Sequence, residues 1–579
     1  MENVGHGLLG IADYIVLVGY FVLMLGIGIY FYRYMKGMKD YFSGGNRIPW
    51  WLSGASYYMS SFSVFAFVTF SAITYKYGLY GVTLMMDTSV GVVFSMYFMA
   101  KKWRRARINS PIEYLEVRFS SELRQFVAWQ GIPLRIVDDA MKLVAIGLFI
   151  SAGLGFDLQQ SVLWSGLIML TYTMLGGLWA VTVTDFVQFI VMAVAVIILV
   201  PLSIQASGGL TAAFSNISPD RLHIFHPPEY DWFYFAASMI FVILSSSSVS
   251  WSLIQRFYSV PNEKETRKLG WFVVLLFVVG APLIMLPAFV APNFITLNPG
   301  QDGMVYAMIA VKLLPTGLIG LVIAAMFAAT MSMLSSDYNV AANVLTNDVY
   351  LRIFRKNASQ KELVTVGRIT TIIVGLLSLG LAFFMLNLGG EGLFRGMMKL
   401  FGLFTAPVAI PMIFGLLSPK FTKNGAMASF LVSFSAGIII FFVVPDTLYI
   451  GDYGIKQEVI LNLGTMIIAI IGIYLGSKYM PSTEEEKNKI AEFMKRLKTP
   501  IGQMGGDVLT KEESGTTEMS PFRVVSVSVA FIGLLLLNIL FFVPHSTAFY
   551  VNMVLGILLI IFGIIGYIKT GKEKIAEEK

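Results

Sequence analysis

The sequence predicts an all-α, polytopic membrane protein of about 15 transmembrane helices, with a core of two halves inserted in opposite directions. Three observations lead there. Hydrophobic residues make up 56% of the chain and charged residues 13%, with a mean hydropathy of +0.72, and the apolar residues are gathered in span-length runs. Basic residues concentrate in every second loop. Serine-rich patches recur in spans two and seven, and five crossings between them mean that any second repeat is inserted upside down.

In order, the spans fall at about 11–32, 48–75, 80–100, 123–154, 160–178, 182–204, 233–254, 268–293, 316–348, 363–387, 392–416, 424–445, 457–478, 522–543 and 547–568. Arg33, Lys36, Lys39 and Arg47 follow the first span, and Lys101, Lys102, Arg104, Arg105 and Arg107 follow the third. Arg256, Lys264, Arg267 and Lys268 follow the seventh, and Arg352, Arg355, Lys356 and Lys361 the ninth. The alternate loop 205–232 holds only Arg221. The positive-inside rule then puts the N-terminus outside and the C-terminus in the cytoplasm of a multi-pass cell-membrane protein. Met1–Tyr14 lacks the basic start and small-residue cleavage site of a signal peptide, so the first span reads as an anchor.

The predicted organisation has seven parts. Residues 1–47 are a leading transmembrane helix and cytoplasmic loop, 48–204 the first inverted repeat, 205–232 an extracellular loop and 233–416 the second repeat. Residues 417–480 add further helices, 481–521 form a cytoplasmic linker opening with an amphipathic helix, and 522–579 are two trailing helices and a tail. The semi-apolar segment 294–315 reads as a short extracellular helix capping the outer mouth.

Composition also excludes. There is no cysteine, hence no disulfide, thiolate metal site or cysteine nucleophile. The four histidines avoid the span centres, against haem or copper chemistry in the membrane. The net charge of +7 follows from the loop bias and implies no nucleic-acid partner. The nearest approach to a nucleotide-binding loop, Gly566 to Gly571-Lys572, has Glu573 in place of the hydroxyl residue and no preceding strand, so no nucleotide is expected. The Asp138-Asp139 pair lacks a second acidic motif or a histidine partner, so an enzyme is not expected either.

What remains is polar chemistry inside the spans. Span two carries Ser53, Ser56, Ser60, Ser61 and Ser63; span seven carries Ser245–Ser248, Ser250 and Ser252. Serine side chains compete for backbone partners and weaken helices, so both patches are candidate breaks at the membrane midplane. The alternative is that they only pack. In span nine, Ser332, Ser335, Ser336, Asn339 and Asn343 form a polar stripe at helical spacing, preceded by Ala324, Ala325, Ala328 and Ala329. Such a stripe faces protein, water or an ion, and reads either as interhelical glue or as a cation site. In span four, Arg135, Asp138, Asp139 and Lys142 share a helix face where their charges cancel, as a wet vestibule lining or as solute recognition.

Two motifs then carry a resemblance. Asp40-Tyr41-Phe42-Ser43-Gly44-Gly45-Asn46-Arg47-Ile48-Pro49-Trp50-Trp51 resembles the entry to the second span of sodium:solute symporters. Gly176-Gly177-Leu178-Trp179-Ala180-Val181-Thr182-Val183-Thr184-Asp185-Phe186-Val187-Gln188 resembles the same family's GGxxAVxxTDxxQ signature; Gln255-Arg256 and Val366-Gly367-Arg368 add matches in order. The resemblance covers roughly 10–480 and implies a leucine-transporter-like fold with a core of five plus five inverted spans, two to eleven here. It also implies sodium as the coupling ion. One sodium ion would be held by the carbonyls of Met59, Phe62 and Ala329 and the hydroxyl of Ser332. The next position, a hydroxyl residue elsewhere in the family, is Met333, whose thioether is a poor sodium ligand. A second ion position, present in some members, would use Asp185, Ser332, Ser335 and Ser336; the alternative for Asp185 is a structural hydrogen-bond anchor near the cytoplasmic edge.

For the solute, the resemblance places Asp138 near a substrate-contacting position. Ser61, Phe65, Ala66 and Met85 stand where sugar-binding members have amide or carboxylate side chains, and Ser246 where they stack a tyrosine. The candidate solute-binding residues are Ser60, Ser61, Ser63, Met85, Asp138 and Ser246. The expected function is sodium-coupled symport of a small polar organic solute (sugar, sugar acid, carboxylate or amino acid) by alternating access. A transporter-like sensor and a proton-coupled carrier of the same fold are the alternatives.

Overall fold

The computed structural model describes residues 9–32, 46–61, 63–108, 111–173, 178–298, 300–387, 390–504 and 521–577. Its main helices are α1 (Ile11–Tyr32), α2 (Trp50–Met59), α3 (Val64–Tyr77), α4 (Leu79–Phe94), α5 (Ser121–Leu154), α6 (Leu158–Thr173), α7 (Leu178–Ala206), α8 (Trp232–Leu244), α9 (Trp251–Ser259) and α10 (Glu263–Val290). There follow α11 (Leu318–Val344), α12 (Gln360–Phe384), α13 (Gly390–Leu417), α14 (Lys423–Val443), α15 (Gln457–Tyr479), α16 (Glu484–Lys498), α17 (Pro521–Ile539) and α18 (Thr547–Glu577). Short helices fill the connections, and an antiparallel hairpin, β1 (Thr447–Ile450) with β2 (Tyr453–Lys456), joins α14 to α15.

Among the described residues, 12 helices are long and apolar enough to cross a membrane, and 13 if a bent pair counts as one span. Two of the 15 predicted spans are helices that fall short of that measure. α5 is 34 residues long but carries Arg135, Asp138, Asp139 and Lys142, and α6 has only 16 residues.

Both predicted breaks are present at the serine patches. α2 and α3 meet at 58°. Ser63 opens α3 with its hydroxyl accepting from Phe65 N at 3.2 Å, and Val64 N donates to Thr330 Oγ1 of α11 at 3.1 Å. α8 widens into a π-turn over Ser245–Val249 and stops at Ser250, whose ψ of 83° is not helical, before α9 restarts. Carbonyls released there find partners, as they must where lipid supplies none. Arg135 Nη2 donates to Val249 O at 3.2 Å, and Trp103 Nε1 to Ser247 O at 3.0 Å.

α11 is the axis of the bundle: the apolar window of the span it opens is 94% buried, against 22% for α18. It packs on α1, α5, α6, α7 and α12. Its start is capped from outside the helix, because Asp13 Oδ1 accepts the backbone N–H of Gly317 at 2.8 Å and of Gly320 at 2.6 Å. Gly320 allows this approach, since a Cβ there would meet the Asp13 backbone at 2.6 Å.

The peripheral parts follow their sequence. α17 and α18 pack mainly on each other. The amphipathic helix α16 opens with a Thr483–Glu486 capping box and buries Ile490, Phe493 and Leu497. Residues 505–520 of the predicted linker, with Gly505 and Gly506, lie outside the described residues, as does the first half of the 40–51 motif, 40–45. In the 294–315 segment, a helix over Val305–Leu313 packs against α3 and α5.

Candidate functional site

The two breaks and α11 enclose a cavity of about 180 Å³. Ser60, Ser61, Ser63, Met85, Asp138 and Ser246, the six residues predicted for the solute, all line it. The serines are not idle donors. Ser61 Oγ bonds back to Tyr57 O at 2.6 Å and Ser246 Oγ to Val242 O at 2.7 Å, so each hydroxyl keeps lone pairs toward the cavity while its proton serves the helix. Phe65, Phe241, Phe277 and Phe401 supply aromatic wall, and Met333 and Asp337 reach the cavity from α11.

The charged cluster lies on one flank. Lys142 Nζ contacts Asp138 Oδ2 at 2.8 Å and Asp139 Oδ1 at 2.9 Å, the within-helix pairs that the spacing predicts. Arg135 behaves differently. Its Nη1 reaches Asp337 Oδ1 on α11 at 2.7 Å, and its guanidinium sits 4.6 Å from the Trp251 ring centroid. The span-four charges therefore do not cancel on their own helix. Asp337 closes the cluster by also taking Lys142 Nζ at 2.8 Å.

Asp337 was not among the predicted residues. It stands five positions from Ser332, about 140° around the helix at 100° per residue, and so off the hydroxyl stripe. The signal available was the one acidic or basic residue within Leu318–Val344, where such a group needs a partner or a function.

The second polar centre is built around Asp185 of α7, which has no exposed surface. Ser56 Oγ donates to its Oδ2, and Arg256 Nη2 lies 3.3 Å from the same oxygen. Arg256, equally buried, also donates to Ser336 Oγ at 2.8 Å, Ser60 Oγ at 3.2 Å and, through Nε, Ser56 Oγ at 2.9 Å. Ser332 lies within reach of the Asp185 carboxylate, and Ser332 Oγ and Asp185 Oδ1 are otherwise buried without a partner among the described residues. Buried oxygens of this kind, on two neighbouring helices, are donors that a hard cation takes.

The other predicted ion ligands divide. Met59 and Ala329 are fully buried at the α2 end and on α11. Ser335 Oγ turns to its own helix and donates to Ser332 O at 3.1 Å, and Ser336 serves Arg256. Phe62 lies outside the described residues. Arg256, read in the sequence as a loop charge after span seven and as part of a motif match, is instead fully buried on α9 and is the cation that stands beside Asp185.

A broken-helix pair around a central cavity, beside a buried oxygen cluster, defines a secondary transporter. The Sodium:solute symporter family model matches residues 41–433, and the chain belongs to that family. It is 25% identical over 486 residues to a sodium/sialic acid symporter, NanT, of Aliivibrio fischeri (strain ATCC 700601 / ES114), covering 80% of this chain and 92% of the relative. It is 26% identical over 479 residues to a sodium/glucose cotransporter of Vibrio parahaemolyticus, covering 76% and 87%. Among solved structures, a Na+-coupled sialic acid symporter in a substrate-bound outward-open state superposes with a TM-score of 0.70 at 22% identity, covering 81% of this chain and 98% of that one. The nucleobase-cation-symport-1 transporter Mhp1 gives 0.50 at 14% identity, covering 79% and 98%. The fold is thus an all-helical polytopic one with an inverted-repeat core, and the protein is a transporter rather than an enzyme.

Proposed function

We propose that the chain imports a small polar organic solute together with sodium by alternating access, with the N-terminus outside and the C-terminus cytoplasmic. In this reading residues 48–204 and 233–416 are the two repeats, and they move against each other about the cavity. Sodium is held by Asp185 and Ser332, with Ser335, Ser336 and the carbonyls of Met59, Phe62 and Ala329 as the wider ligand set. The solute occupies the cavity against Ser60, Ser61, Ser63, Met85, Asp138 and Ser246.

The single observation that carries the proposal is the meeting of two buried oxygens that have no other partner among the described residues, Asp185 Oδ1 of α7 and Ser332 Oγ of α11, the helix that also walls the cavity. A cation there and a solute in the cavity share α11, so each affects the other's affinity through the same element. The named relatives act on sialic acid and glucose, and the charged flank of this cavity supports a solute with ionic as well as hydroxyl groups, a sugar acid foremost. A thermal-shift screen of purified protein against sugars, sugar acids and amino acids tests this. A sugar acid should stabilise the protein more in sodium chloride than in choline chloride; stabilisation by an amino acid alone would reassign the solute.

A further inference from the structure

Asp185 has two claimants and one charge. Its Oδ2 is taken by Ser56 and Arg256, while Oδ1 is left for Ser332 or an ion. We infer that Arg256 is a tethered cation that competes with the transported sodium ion for Asp185. The inference rests on the proposed placement of sodium between Asp185 and Ser332.

Charge balance is the first argument. Arg256, Asp185, Ser332 and Ser336 are each at most 1% exposed, so water screens none of them. One carboxylate balances one cation in such a place, and a guanidinium and a sodium ion together would leave a positive charge uncompensated. The next carboxylate that feels Arg256, Asp337, is already engaged by Arg135 and Lys142.

Ligand sharing is the second. The guanidinium holds the hydroxyls of Ser56, Ser60 and Ser336, and Ser336 belongs to the oxygen set that the sequence assigns to the ion. While Arg256 stays, Ser336 and one of the two Asp185 oxygens are engaged, and sodium meets an incomplete set.

Arg256 also has a means of withdrawing. It rides on α9, nine residues long and separated from α8 by the π-turn and the non-helical Ser250. The same short helix presents Ser252 and Leu253 to the cavity, so a swing of α9 is felt by the solute. In place, the guanidinium pins together α2, α7, α9 and α11. Sodium arriving at Asp185 therefore loosens this seam, and its departure lets Arg256 return. A symporter needs the second half of that exchange, because an ion-free carrier must reorient without a bare carboxylate in its core.

The test needs no solute. Purified protein is titrated with sodium chloride against choline chloride at constant ionic strength, reading intrinsic tryptophan fluorescence; release of 22Na+ from proteoliposomes is followed in parallel. Removing a competitor raises the competent fraction, so Arg256→Gln should bind sodium about five-fold more tightly and release 22Na+ without solute. Unchanged or weaker sodium binding in a monodisperse Arg256→Gln protein overturns the competition, because a purely structural arginine would loosen the site when removed. If Arg256→Gln is not monodisperse, Arg256→Lys, which keeps the charge without the fork, should bind sodium about two-fold more tightly, and unchanged binding there overturns it too. Ser332→Ala separates the two levels. If Ser332→Ala responds to sodium like the parent, the ion placement itself fails; if it loses the response while Arg256→Gln is unchanged, only the competition fails.

Discussion

Lys142 Nζ and Asp337 Oδ2 lie 2.8 Å apart and join α5 to α11 across the flank of the cavity. Both side chains are 3% exposed. Lys142 has Asp138 and Asp139 as further partners, whereas Asp337 is the only carboxylate paired with Arg135 among the described residues. This asymmetry decides which acid of the cluster is structural.

Asp337→Asn leaves Arg135 with a neutral partner in a buried setting, and loss of one member of a buried pair costs about 3–5 kcal/mol. The expected outcome is poor monodispersity by size-exclusion chromatography, recovered when Arg135→Gln is added. A well-folded single variant would contradict the assignment.

Asp138→Asn should behave in the opposite way. Lys142 keeps Asp139 and Asp337, so the fold survives, while the carboxylate bordering the cavity changes character. Expression should match the parent, and the apparent solute affinity should shift several-fold, about 1 kcal/mol. An unaltered solute dependence would remove Asp138 from the recognition set.

Met333 lines the cavity next to Ser332. Met333→Ser supplies a hydroxyl where the chain has a thioether, and one extra oxygen ligand is worth about 1 kcal/mol, several-fold in sodium affinity. The sodium titration should shift to lower concentration or steepen. No change would mean that no ion uses this position.

Asp13→Ala removes the acceptor shared by Gly317 N and Gly320 N. Loss of a cap of this kind costs about 1–2 kcal/mol. Thermal unfolding should fall in temperature with sodium affinity kept; a fall in sodium affinity alone would mean that Asp13 acts on the ion site.

Much of this was legible in the sequence, because the relevant signals are local. Serine density marked both breaks, since each patch weakens its own helix. The six solute candidates fell on one cavity because five are at or next to those breaks or on α5, and Met85 faces them from α4. Asp337 and Arg256 were not legible as site residues, for a common reason. Their partners come from other helices: Asp337 meets α5, and Arg256 meets α2, α7 and α11. Helical periodicity reports which residues share a face, and it is silent on which face of another helix stands opposite. The same limit explains Arg135, whose spacing suggested partners on its own helix and whose carboxylate lies across the bundle.

Sodium-driven accumulation is the central claim, and proteoliposomes containing the purified protein test it most directly. With the solute found in the thermal-shift screen, an inward sodium gradient should drive uptake above equilibrium, and Ser332→Ala should abolish it. Equal uptake when choline replaces sodium at fixed pH, in parent and variant alike, would contradict the account.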